Sequence, residues 1–254
     1  MFAMITKVLN KKELAQRPDV QRAVLAEVEK LRGRKTWLED TVREHDDVTA
    51  EARRTGKTVH MGRIFAIPAI KHWELPQDKQ KAKGRVVFQG NQVRDESGLA
   101  AVFAEAASSA SHMEASKLVD VISMLPGNSG QQSDAVGAYC QALLYGDGRI
   151  DPVDTWIEMP REYWPTEWAK RGSRRPVCRL RLALYGHPLS GVFWERHCTK
   201  CLEAVGFERV TGWESMFRHR RLRLVLSVYV DDFKMAGPTH RLPSMWERIR
   251  ERIN

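Results

Sequence analysis

An apolar segment that runs directly into two adjacent carboxylates most restricts how this chain folds: Leu222–Asp232, LRLVLSVYVDD. Its side chains alternate between two faces, as in a β-strand, and one face carries Leu224, Leu226, Val228 and Val230. Neighbouring carboxylates repel each other unless a cation lies between them. The segment therefore predicts a buried strand that ends in a turn, and Asp231 and Asp232 form either an exposed turn or a cation site.

The remaining segments alternate irregularly between helical and extended patterns. Residues 18–33 predict an amphipathic helix, because apolar residues recur at helical spacing at Val20, Val24, Val28 and Leu31. Residues 63–73 and 84–90 predict two strands joined by a charged turn. The polar residues 39–57 predict a loop with some helix. Strand pairs joined by turns favour an α+β fold, with a small, mainly antiparallel sheet packed on helices, over a doubly wound α/β sheet.

The chain of 254 residues carries 41 Lys and Arg against 32 Asp and Glu, a net charge of +9. Basic residues cluster at 54–63, 79–85, 170–181 and 218–223. Such clusters favour an anionic partner, of which nucleic acid is the commonest, over a plain solvated surface. No apolar run approaches the roughly 20 residues that span a bilayer, and the first residues lack a signal-peptide pattern. We therefore expect an intracellular protein, cytoplasmic or nuclear, that has no membrane partner and is not secreted.

Two cysteines form a C-x-x-C pair, Cys198 and Cys201, with His197 beside it. A zinc site needs four ligands and usually two such pairs. The same window places Trp194, Cys198, Cys201, Leu202 and Val205 on one helical face. We interpret these cysteines as part of the apolar face of a helix rather than as metal ligands.

A third carboxylate, Asp134 in QSDAVGAY, is also expected at a strand end. Two-metal phosphoryl transfer needs divalent cations about 3.5–4 Å apart that share carboxylate ligands. Carboxylates at the ends of neighbouring strands can supply them, because strands lie about 4.8 Å apart. Asp134, Asp231 and Asp232 are thus candidate ligands for Mg²⁺, although paired aspartates are also common in simple turns.

Six ordered blocks from about residue 18 to residue 237 resemble the reverse transcriptase of copia-type retrotransposons. One of them, QSDAVGAYCQALLYG, is similar to the family's L-D-V-K-T-A-F-L-N-G, and LVLSVYVDDFKMAG is similar to its Y-V-D-D hairpin. The other four blocks are 18–42, KGRVVFQGNQ, TWIEMPREYW and residues 177–208. The resemblance implies a right-hand polymerase with fingers and palm, the fingers mostly at residues 18–130 and the palm mostly at 131–240.

The resemblance also implies roles for particular residues. Asp134, Asp231 and Asp232 would hold two Mg²⁺ ions, or Mn²⁺, for nucleotidyl transfer from a deoxynucleoside triphosphate to a primer 3′-hydroxyl on an RNA or DNA template. The triphosphate would contact Lys83 and Arg85. Tyr139 would lie under the deoxyribose and block a 2′-hydroxyl. Tyr185 and Gly186 would lie beside the nucleotide and template. Tyr229 would lie at the primer end.

Three functions stay open on the sequence. The first is the RNA-directed DNA polymerase core of a retrotransposon Pol polyprotein, with residues 241–254 starting a truncated segment and the thumb, RNase H, protease and integrase parts absent. The second is a catalytically inactive, truncated remnant that binds nucleic acid through its basic surface. The third is a basic domain whose two aspartates form only a turn, and Tyr139 in that case is core packing rather than a sugar gate.

Overall fold

A computed structural model describes residues 5–103, 111, 113–144 and 153–254. The chain divides into two units, each made from two separate stretches. The first unit comprises residues 1–102 and 147–187, and the second comprises residues 103–146 and 188–254. Both units combine helices with a mainly antiparallel sheet, so the predicted α+β class is confirmed. The finer expectation of fingers and palm ranges stays a prediction.

The first unit is built on a six-stranded sheet. Five strands follow the order β1-β3-β6-β7-β2, and β4 also pairs with β3. All pairs are antiparallel except β3 with β6. The strands of this unit are β1 (Thr6–Val8), β2 (Trp37–Glu44), β3 (Val59–Lys71), β4 (Lys81–Phe88), β6 (Asp154–Glu158) and β7 (Pro176–Leu180). Its helices are α1 (Lys11–Ala15), α2 (Pro18–Gly33), α3 (His45–Thr55) and α5 (Thr166–Lys170).

The second unit contains an antiparallel five-stranded sheet of order β5-β11-β10-β9-β8. Its strands are β5 (Asn128–Asp134), β8 (Glu208–Arg209), β9 (Met216–His219), β10 (Leu224–Tyr229) and β11 (Asp232–Pro238). Its helices are α4 (Met113–Ser123), α6 (Ser190–Ala204) and α7 (Leu242–Arg250). One apolar cluster joins α6, α7, β10 and β11. Alternate residues of β10 are buried on the face predicted from the sequence: Leu224, Leu226 and Val228.

Helix α2 packs directly against β4. Its four buried residues are the predicted stripe, Val20, Val24, Val28 and Leu31. Gly84 permits the contact, because a β-carbon at Gly84 would lie 2.4 Å from the α-carbon of Val24. The helix therefore covers one face of β4, and the alternating residues Lys83 and Arg85 belong to the other face.

Two other sequence expectations had different outcomes. The loop with some helix predicted over residues 39–57 is right in its helical part, which is α3, and wrong for residues 39–44, which belong to strand β2. Strand pairing with β7 overrides the polar composition of β2, and α3 buries Val48 and Ala52 against the sheet. The helical face of α6 is confirmed for Trp194, Cys198 and Leu202, and Cys201 is half-buried. No helix among the described residues is both long and apolar enough to cross a membrane.

Candidate active site

Asp134 and Asp232 lie opposite each other at one end of the second unit's sheet. Asp134 is the last residue of the edge strand β5, and Asp232 is the first residue of β11. The two strands are antiparallel, and the register pairs these two residues directly. Such partners have β-carbons about 4.5–5.5 Å apart. Residues far apart in the chain therefore form one acidic pair, and Asp134 contributes to a raised pKa of Asp232.

Asp231 lies in the turn that joins β10 to β11. Tyr229 and Asp232 form the last pair of this hairpin, so Val230 and Asp231 make a two-residue loop. The direct partner of Asp134 across the strands is therefore Asp232 and not Asp231. Asp231 is nevertheless tied to the same end of the sheet, because its carbonyl oxygen accepts a hydrogen bond of 2.7 Å from the backbone N–H of Ala135.

Neighbouring carboxylates act on Asp232 at this end of the sheet. The pKa of Asp232 is raised, first by partial burial of its carboxyl group, then by the charge of Asp231 and the contact with Asp134. Asp232 and Asp134 are otherwise exposed, and Asp231 is half-buried. A divalent cation would remove this repulsion, because opposite charge favours the ionised carboxylate.

The donor set fits Mg²⁺ in composition. Mg²⁺ prefers carboxylate oxygens and is commonly held by one or two carboxylates, with waters and substrate phosphates completing the octahedron. Asp134 and Asp232 supply such a pair and Asp231 adjoins it. Among the residues that the structure describes, no three His, Cys, Asp or Glu side chains are arranged as a ready-made metal site. Asp134, Asp231 and Asp232 lie at one sheet end but are not arranged as a three-ligand group.

Tyr139 lies close to Asp231. It begins a single 3₁₀ turn, Tyr139–Gln141, and packs partly against the apolar cluster of the second unit. Burial raises the pKa of its hydroxyl, and the charge of Asp231 and the nearby Tyr229 add to the effect. A cavity of about 30 Å³ is lined by Tyr139 together with Gly191, Trp194 and Val230. Tyr139 is therefore partly packed against the core, and the charge of Asp231 acts on its hydroxyl.

Tyr229 ends β10 with 57% of its surface exposed. Ser227, two residues earlier on the same face, is buried. An exposed aromatic ring beside two carboxylates offers a flat apolar surface without a packing partner inside the sheet. This is the position that the resemblance assigns to a residue near the primer end.

In the first unit, Lys83 and Arg85 lie two residues apart on the same face of β4. Arg85 is exposed, and its guanidinium lies 5.2 Å from the centre of the Tyr185 ring. Burial, followed by the charges of Lys71 and Arg85, lowers the pKa of Lys83. The structure thus brings together three residues predicted to contact nucleotide, Lys83, Arg85 and Tyr185, in a basic face that also carries Lys71.

Gly186 is fixed beside this basic face by a close backbone approach. The backbone N–H of Phe88 donates to the carbonyl of Tyr185 at 2.7 Å. Gly186 has φ +89°, and a β-carbon there would lie 2.1 Å from the carbonyl oxygen of Phe88. Only glycine fits this position without displacing the end of β4.

A second basic feature of the first unit is a cavity of about 260 Å³ with three arginines in its lining: Arg63, Arg94 and Arg175. Glu158 lies between two of them, accepting a 2.8 Å hydrogen bond from Nε of Arg175 and lying 3.4 Å from Nε of Arg63. Arg63 and Arg175 come from two basic clusters far apart in the sequence. Strands β3, β6 and β7 bring them together, which leaves an excess of positive charge suited to a phosphate.

No protein-family model matches the chain, and no curated protein is significantly similar to it. Function therefore has to be argued from the residues and their geometry.

Sequence reasoning missed one interaction at this site. The indole N–H of Trp194 donates to the carbonyl oxygen of Val230 at 2.7 Å. Trp194 was assigned only to the apolar face of its helix. A signal was nevertheless present in YVDD, because valine is a poor residue for a two-residue hairpin loop and needs support from elsewhere.

Proposed function

We propose that this chain is the core of an RNA-directed DNA polymerase of the copia retrotransposon type. The observation that carries the proposal is the pairing of Asp134 with Asp232 at one sheet end, with Asp231 in the adjoining turn. A simple surface turn does not need a second carboxylate on the neighbouring strand, because that carboxylate adds repulsion. A site for divalent cations does need it.

In this proposal Asp134, Asp231 and Asp232 would hold Mg²⁺, which supplies activation of the primer 3′-hydroxyl and neutralises charge on the triphosphate and the leaving pyrophosphate. Tyr139 places a ring under the deoxyribose and excludes a 2′-hydroxyl. The exposed ring of Tyr229 contacts the primer end.

The basic face of β4 has a separate task. Arg85 binds a phosphate through its planar fork of donors, and Lys83 adds a compact positive charge. The Tyr185 ring orients the guanidinium of Arg85 through a cation–π contact. Gly186 allows the backbone to approach closely, and in this proposal the nucleotide and template pass beside it.

Primer extension on poly(rA)/oligo(dT), with and without Mg²⁺ or Mn²⁺, tests the proposal. We expect metal-dependent incorporation of dTTP by the wild type. Asp134→Asn should lower the rate by about a thousandfold, because an amide oxygen binds Mg²⁺ far less well than a carboxylate. Asp120→Asn is the control, since Asp120 is a half-buried aspartate of the same unit that forms a 2.6 Å ion pair with Lys234. Metal-independent synthesis, or equal rates for both variants, would exclude the proposal.

Nucleic-acid binding without catalysis is the second candidate, and the arginine-lined cavity at Arg63, Arg94 and Arg175 favours it. A binder of this kind would hold RNA with an affinity that falls steeply with salt, since neutralised phosphates release counterions. Asp134→Asn would leave that affinity unchanged or slightly higher. The two candidates are separated by binding and extension assays on the same protein preparation.

A further inference from the structure

Both peptide groups that flank Asp231 are tied by hydrogen bonds to other elements. The peptide before it is held through the Val230 carbonyl, which accepts from the indole N–H of Trp194 at 2.7 Å. The peptide after it is held through the Asp231 carbonyl, which accepts from the N–H of Ala135 at 2.7 Å. The backbone dihedral angles φ and ψ of Asp231 set the orientation of these two peptide planes relative to each other. Fixing both planes fixes the direction in which its side chain leaves the backbone.

Val230 needs such support because its backbone is strained. Its φ is +57°. Positive φ at only the first residue of a two-residue hairpin loop is the pattern of a type II′ turn, where glycine is preferred. A β-branched residue in this region is a true outlier, and such strain persists only where the surroundings hold it. Without its anchor, the Val230–Asp231 peptide would rotate toward an ordinary turn.

Trp194 is a rigid anchor. Its side chain is 3% exposed and belongs to the apolar cluster of the second unit, with Ala138 and Leu226. A buried indole N–H needs an acceptor, and here the acceptor lies on the hairpin rather than on the tryptophan's own helix. The small cavity beside Trp194 and Val230 offers the turn space to move if the hydrogen bond is lost.

We propose that Trp194 is a positioning residue for Asp231: its indole N–H holds the strained Val230 carbonyl so that the Asp231 carboxylate points at the cation site. The chemical purpose of this role rests on the proposed polymerase function. The anchoring of the hairpin does not, so it can be measured separately.

The test removes the indole N–H and keeps the ring. Trp194→Phe does this with some loss of volume, and replacement of Trp194 by 3-benzothienylalanine does it at nearly constant volume if the phenylalanine variant fails to fold. Trp168→Phe is the control for loss of a buried indole, since Trp168 is 3% exposed in the first unit and makes no hydrogen bond to the hairpin within the described part of the chain. Mn²⁺ affinity is measured from the electron paramagnetic resonance of the free ion, and exchange of the Ala135 amide is measured by NMR.

We expect the Trp194 variants to bind Mn²⁺ about tenfold more weakly, the effect of losing a residue that orients a metal ligand. The Ala135 amide should exchange about tenfold faster, because its acceptor on Asp231 becomes mobile. Trp168→Phe should change neither quantity. Val230→Gly, which relieves the strain, should restore most of the Mn²⁺ affinity in the Trp194→Phe background.

Asp231→Asn separates failure of the inference from failure of the proposed function. If Asp231→Asn weakens Mn²⁺ binding but the Trp194 variants do not, the inference is overturned. If Asp231→Asn leaves the Mn²⁺ affinity unchanged, the proposed cation site is wrong. The exchange rate of the Ala135 amide is then the only test of the hairpin's anchoring. Faster exchange in the Trp194 variants then supports the anchoring of the hairpin, and unchanged exchange overturns it.

Discussion

The acidic sheet end of the second unit and the basic face of the first carry opposite charges and are built in opposite ways. Asp134 and Asp232 meet through strand register, and Asp231 projects from a strained turn held by hydrogen bonds. Lys83 and Arg85 simply alternate along a regular strand. The acidic end therefore depends on the exact direction of each backbone segment, whereas the basic face depends on charge and on the packing behind it.

The largest effect is expected from Gly186→Ala, which tests whether the basic region depends on close packing. The new β-carbon would lie 2.1 Å from the Phe88 carbonyl oxygen at a backbone φ of +89°. We expect a loss of about 3 kcal/mol in the free energy of unfolding, measured in urea, since clash and strain add. Gly172→Ala is the control for strain alone, because its φ is +71° with no atom within 4 Å. It should lose about 1 kcal/mol. Equal losses would mean that the close approach to Phe88 is not important.

Tyr139→Ala comes next and tests whether the acidic end selects a sugar. Removing the ring should reduce discrimination against ribonucleotides by about a hundredfold, because exclusion by clash is lost. Tyr139→Phe should retain discrimination, since the ring does the excluding. Incorporation of dNTPs and rNTPs by both variants is the measurement. If Tyr139 only packs in the core, Tyr139→Ala would lower stability by about 2–4 kcal/mol and leave nucleotide preference unchanged.

Arg85→Gln tests the basic face directly. Losing one charge-assisted phosphate contact should raise KM for dNTP by about tenfold with kcat little changed. The matched control is Lys81→Gln, because Lys81 is exposed and belongs to the same face of β4. A fall in kcat without a change in KM would contradict the assignment of Arg85 to ground-state binding of the triphosphate.

The smallest effect is expected from Asp232→Asn, measured as stability against pH. The pKa of Asp232 is raised above the ordinary value of 3.8, so the folded state binds its proton more tightly than the unfolded state. Ionisation of Asp232 therefore lowers stability as pH rises through this range. At pH 7 we expect Asp232→Asn to be more stable than the wild type by under about 1 kcal/mol, since the residue is exposed. This advantage should disappear below pH 3.8. A variant less stable than the wild type at pH 7 without metal would contradict the repulsion.

Much of the fold was predictable where the apolar pattern was strong. The stripe on α2 and the alternation of β10 each match one periodicity, and both are buried as predicted. The pairing of Asp134 with Asp232 was not predictable, because β5 reads NSGQQSD and has no apolar alternation. Such a strand specifies its register weakly, so its own sequence does not determine which residue of β11 faces Asp134.

Strand β2 is a second element that its local sequence pattern does not predict. Its polar residues 39–44, EDTVRE, fall in the segment predicted as a loop with some helix, yet pairing with β7 makes them a strand. The hydrogen bond from Trp194 to Val230 also joins distant parts of the chain. Local patterns indicate which residues are buried, but they do not contain the pairings that orient individual side chains.

The pairing of β5 with β11 has a consequence for folding kinetics. Asp134 and Asp232 are about a hundred residues apart in the chain, and the intervening stretch includes residues 147–187 of the first unit. Contacts between distant residues form slowly, because loop-closure entropy opposes them before they gain any stabilisation. During synthesis β10 and β11 can pair as soon as both strands have been made, because they are adjacent in the chain. Strand β5 is made earlier but can pair only after β11 is available. The acidic pair is therefore expected to assemble in the last stages of folding, after the two strands of the hairpin have met.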